Sequence, residues 1–240
     1  ALSGANVTVT GTIKGGELQL GAFEDKDTAT VALVGGTTNT IGESGSVSVN
    51  TLSFNKASQK PLTVDGKLTA DATNVSVSDA ELSVGVSGTA SLGAVTVKDI
   101  ETTAANLKLT NLNAVKAVTA ESLTINAAQK KADGVVKNDT EAGTATLIGD
   151  FEIGTLTNNA GGMITLGDTN ASTRVSLSIV KAGASQNAGT ISGSNTSEVI
   201  VAKDVAFSNT GTIDLGQDGS LEVTGTLTNV YTPAVLKDDK

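Results

Sequence analysis

One short phrase returns in the last third of this chain and limits what the chain can fold into. It reads Asn187-Ala188-Gly189-Thr190-Ile191 and, 22 residues later (209 − 187), Asn209-Thr210-Gly211-Thr212-Ile213. A looser version, Asn159-Ala160-Gly161-Gly162-Met163-Ile164, precedes both with one residue inserted. A turn-forming Asn-x-Gly followed by an apolar, β-branched run is a tight corner opening into a short strand. Such a unit recurring at roughly 20–30 residues predicts a solenoid, each repeat one turn of chain stacked on the last.

The rest of the chain reads the same way, as short alternating strands. Ala5 to Ile13, Val47 to Phe54, Leu62-Thr63-Val64, Val75-Ser76-Val77, Leu82 to Val86, Val95-Thr96-Val97, Leu107-Lys108-Leu109 and Leu123-Thr124-Ile125 alternate apolar with polar residues. This is the period-two pattern of a half-buried strand. Thr10-Gly11-Thr12-Ile13 repeats Thr210-Gly211-Thr212-Ile213, so the phrase is expected to bracket the whole chain. Helical periodicity is confined to Ala117–Ala128, where Val118, Thr119, Thr124 and Ile125 weaken it. The expected fold class is therefore all-β. Tandem β-sandwich modules, divided near residue 130, are the alternative.

Composition narrows the function classes. Aromatic residues are 2% of the 240, so Val, Leu, Ile and Ala must fill the core, which suits a thin stack better than a broad globule. There is no Cys, hence no disulfide or thiolate metal site, and no His, hence no imidazole base or ligand. A net charge of −9 argues against a nucleic-acid partner and against anionic lipid. No apolar run approaches the roughly 20 residues that cross a bilayer, so membrane insertion by this chain is not expected. The opening Ala1-Leu2-Ser3-Gly4, without an initiating Met, reads as a mature start after cleavage or as an artificial boundary.

Candidate sites were sought residue by residue. Asn158, Asn159, Asn187, Asn209 and Asn229 stand at corners, where Asn tolerates left-handed backbone and can stack in a ladder. Asp25-Lys26-Asp27 and Asp214 to Gly219 are the two acidic turns that suit calcium, but 6–8 oxygens are needed and the repeat-in-toxin pattern is absent. Gly35-Gly36 and Gly161-Gly162 lack the following Lys-Ser/Thr and helix of a phosphate loop. Paired carboxylates of a glycosidase or lyase normally come with aromatic platforms and basic neighbours, and Arg174 is the one Arg. The reading therefore assigns no catalytic, cofactor-binding or metal residue and expects no cofactor, with calcium as the secondary option.

Phe207 to Gly216 and Gly154 to Gly162 resemble the passenger regions of bacterial autotransporters and the related haemagglutinin-like exoproteins. The resemblance is good over 145–230 and faint over 1–126. It implies a right-handed parallel β-helix on, or released from, a Gram-negative cell. Passengers normally precede an outer-membrane barrel, which this chain lacks, so a fragment or a different surface protein with similar repeats is expected.

The expected organisation is N-terminal β coils over 1–126, a polar excursion or boundary loop over 127–143, β-solenoid repeats over 144–232 and a polar tail over 233–240. The expected function is a non-enzymatic extracellular or cell-surface protein, adhesive or structural. Its partners would be other copies of itself, as a homo-oligomer or fibre, or host and cell-surface glycans and proteins. The alternatives are a self-assembling subunit of a filament, surface layer or phage-type fibre, and a carbohydrate-active β-helix enzyme.

Overall fold

A computed structural model describes residues 2–3, 7–10, 12–14, 17–20, 31–34, 39–54, 62–78, 81–98, 106–111, 118–126, 143–167, 174–193 and 196–230. Within these residues the protein is all-β. The strands form two long sheets of 15 and nine strands, and each recorded strand pair is parallel.

The chain moves back and forth between the sheets. Leu62–Val64 lies in the nine-stranded sheet, Lys67–Ser78 in the larger one, Glu81–Val86 in the smaller and Thr89–Lys98 in the larger again. In this stretch a two-residue corner, Asp65-Gly66 or Ser87-Gly88, joins the smaller-sheet strand to the next. At Ser87-Gly88 the Ser87 amide donates to the Val64 carbonyl of the rung before (2.9 Å), and the Thr89 amide to the Gly66 carbonyl (2.9 Å). A Cβ on Gly88 would lie 2.0 Å from the Gly66 oxygen, so the corner stacks only if this position is glycine.

Registered columns run through the stack. In the first half of the larger sheet, Val47, Leu68, Ala90, Val118, Phe151, Leu177, Val199 and Leu221 are successive partners. All but the last are buried. Leu177, Val199 and Leu221 are 22 residues apart (199 − 177; 221 − 199), as the repeated phrase requires. The step from Val118 to Phe151 is 33 residues (151 − 118), and the surplus falls between Asn126 and Gly143. The Gly143 amide donates to the Asn126 carbonyl at 3.3 Å, so the two ends of that excursion meet. Both sheets continue across it, since Val118–Ile125 pairs with Asp150–Asn158 and Asn106–Asn111 with Thr144–Ile148. Its own residues 127–142 lie outside the described ones, as do 231–240 of the tail.

The core is a narrow strip of Val, Leu, Ile and Ala between the sheets, widened by Phe151 and Phe207. Burying one such side chain contributes about 1.5–3 kcal/mol. Toward the C-terminus the larger sheet divides. Asp150–Asn158 pairs with Val175–Ile179 along its first half and with Gly183–Asn187 along its second. Turns at 180–182 and 202–204 make the break, the second with Asp204 in left-handed backbone (φ 69°).

Val118–Ile125 is a strand, in line with the β-branched residues that weaken the helical period there. One expectation is corrected: the N-terminal phrase is not the counterpart of the C-terminal one. Thr12–Lys14 pairs in the larger sheet whereas Thr212–Asp214 pairs in the smaller, and the same Thr-Ile alternation suits a strand in either.

Candidate functional surface

The corner asparagines are brought together. The Asn158 Nδ2 donates to Asn187 Oδ1 (2.7 Å), Asn187 Nδ2 to Asn209 Oδ1 (2.8 Å) and Asn209 Nδ2 to Asn229 Oδ1 (2.9 Å). Each also donates to a backbone oxygen: Asn158 to Thr190, Asn187 to Thr212 and Asn209 to Gly211. Asn158 and Asn187 are fully buried, so these bonds satisfy amides that water cannot reach. The ladder begins at Asn158 because its partner one rung down is Ile125, and Asn158 Oδ1 has no hydrogen bond. Asn159 stays out of it, with its Nδ2 3.5 Å from Asn126 Oδ1. The ladder is internal and structural.

The acidic turns fare differently. Asp25 and Asp27 lie outside the described residues. Asp214 accepts from the Gly216 amide at 3.2 Å, a local turn bond, and Asp218 is exposed. Among the described residues no three Asp or Glu side chains converge. Gly161-Gly162 is one of the stacked corners, with the Gly162 amide donating to the Asn159 carbonyl at 2.9 Å, and Gly35-Gly36 is outside the described residues. Arg174 pairs with Glu198, which also accepts from Ser220 at 3.3 Å, and Lys181 pairs with Glu121. The first pair clips neighbouring rungs together, and the second spans the intervening rung at Gly154. The hydrogen bond and charge of Glu198 raise the Arg174 guanidinium above its ordinary pKa.

The outward face of the second half of the larger sheet is distinctive. Thr124, Thr157, Gln186, Ser208 and Thr228 form one registered column. Two residues earlier on each strand, hence on the same face, stand Ser122, Thr155, Ala184, Ala206 and Thr226. None of these ten positions is charged, in a chain that is 17% charged. At a rung spacing of about 4.8 Å, five rungs extend about 19 Å. The outward positions of the first half include Asp150, Glu152, Glu198 and Glu222, so the two halves differ sharply in charge.

Near its C-terminal end this face carries a groove of about 310 Å³ lined by Thr157, Ala184, Gln186, Ala206, Ser208 and Thr228, with Ser185 and Phe207 beneath. A second hollow, about 440 Å³, opens at the last rung between Ile213, Leu215, Leu221 and Leu227. Sequence reading picked out neither, because both depend on register rather than on any motif. The signal was present as Thr155-Leu156-Thr157 and Thr226-Leu227-Thr228, whose outward threonines align only once the rungs are stacked. Comparison with protein-family models, with curated proteins and with solved structures finds no match to this chain.

Proposed function

We propose that this chain is a non-enzymatic protein of the bacterial outer surface, adhesive or structural, whose sheets wind as a right-handed parallel β-helix. The observation that carries the reading is the uncharged two-column face, five rungs long among the described residues, on a molecule of net charge −9. A long flat face free of charge repulsion is what a contact surface needs on an otherwise acidic rod. The resemblance of residues 145–230 to autotransporter passengers points the same way. Beads coated with the protein should adhere to cells or to one another, and negative-stain electron microscopy should show slender rods. Round or two-lobed particles would sink the β-helix, and beads that never adhere would sink the adhesive role.

A second reading, self-assembly into a filament or layer, is favoured by the last rung. Leu221 and Leu227 continue columns that are buried at Val199 and Phe207, yet they are 39% and 42% exposed. Apolar side chains this exposed on an inward column suit burial against another copy of the chain. Filaments lengthening with protein concentration in the same micrographs would select this reading, and rods of one length at all concentrations would reject it.

A further inference from the structure

The groove on the uncharged face has a composition that selects one class of ligand. Its floor is made by Ala184 and Ala206, register partners on adjacent rungs and both exposed. Along one side stand Thr157, Gln186, Ser208 and Thr228 on four consecutive rungs. Adjacent rungs are about 4.8 Å apart, so the four polar side chains span about 14 Å. Among the described residues, no hydrogen bond within the protein engages any of the four.

A sugar ring presents a flat C–H face and a rim of hydroxyls. Two methyl groups in a row suit the first, and three hydroxyls with a carboxamide suit the second, since both sets donate and accept. Neither column carries charge, and the molecule's net charge of −9 disfavours acidic sugars. A volume of about 310 Å³ is at the small end of ligand sites, room for a short segment rather than a whole chain. We propose that this groove binds a short segment of an uncharged glycan, its chain running across the strands with ring faces on Ala184 and Ala206. The proposal rests on the adhesive reading and names its ligand class.

The probes are four neutral hexasaccharides (cello-, laminari-, malto- and mannohexaose), with hexagalacturonate as the acidic comparison, titrated by calorimetry and by chemical-shift changes. At least one neutral probe should bind with Kd at or below about 1 mM, and hexagalacturonate at least tenfold more weakly. Ala206→Glu, at an exposed position, should weaken that binding at least tenfold without changing the melting temperature, and Gln186→Ala should weaken it severalfold. Met163→Glu, exposed on the other sheet, should leave it unchanged. If no neutral probe binds, or if Ala206→Glu binds as the parent does, the groove assignment is wrong. Beads that adhere although no neutral probe binds would overturn the groove and keep the adhesive role. Binding in solution by beads that never adhere would do the reverse.

Discussion

Asn187 donates to one neighbour and accepts from another, so its loss is felt on both sides. Asn187→Ala leaves a buried donor on Asn158 and a buried acceptor on Asn209 unpaired. It should cost about 1–3 kcal/mol for each stranded group. Asn229→Ala strands only one N–H of Asn209 Nδ2, at the exposed end of the ladder, and should cost less; urea denaturation of the two variants checks the order. The corner glycines make a sharper test. An alanine Cβ at Gly211 would sit 2.0 Å from the Gly189 carbonyl oxygen, whereas at Gly85 it would meet nothing within 4 Å. Gly211→Ala should therefore lower the melting temperature markedly, while Gly85→Ala should leave it unchanged or raise it slightly, since alanine restricts the unfolded chain. Arg174 gives the pH expectation. Its pKa is raised in the folded state, so its contribution is fully present below the ordinary guanidinium value and lost only above it. Between pH 5 and 9, roughly, Arg174→Gln and the parent should differ by a constant melting shift, small because the Arg174 side chain is largely exposed.

At the scale of the strand, one polar residue stands in an apolar column. Leu156, Ser185 and Phe207 succeed one another on the inner face, and all three are buried. Ser185 is there because its Oγ accepts the Leu156 amide at 3.1 Å, a backbone donor that the shortened pairing of Gly183–Asn187 leaves without a ladder partner. Ser185→Ala makes the column more apolar yet should destabilise by about 1–3 kcal/mol, and hydrogen exchange at the Leu156 amide should accelerate. Such residues mark the limit of what alternation could disclose. Strands like Leu62–Val64 and Asn106–Asn111 were legible because one face is buried and the period is two. The corner Asn ladder was legible because Asn recurs at the corners, at intervals of 29, 22 and 20 residues (187 − 158; 209 − 187; 229 − 209). The charge-free face, the groove and the role of Ser185 were not, since each is created by which rung lies against which. Register across insertions of unequal length is not written in any single segment.

For the molecule as a whole, the excursion between Asn126 and Gly143 is the natural place to cut. Its ends are already bonded and both sheets pass it without a break. Replacing residues 128–141 with a two-residue Gly-Ser turn should preserve a single cooperative unfolding transition and change stability little, because loop-closure entropy varies slowly with length. Calorimetry showing two separate transitions, before or after the replacement, would instead favour two modules. The 22-residue interval has a further consequence. The rung carrying Val199 and Phe207 sits on one carrying Leu177 and Ser185 and beneath one carrying Leu221 and Leu227, so its strands pair only with those of its two neighbours. A duplicated segment of that length can be spliced in without disturbing the rest. The gene for such a protein works as a ruler: the length of the stack can be increased or reduced in steps of one rung, about 4.8 Å, by slippage or recombination alone.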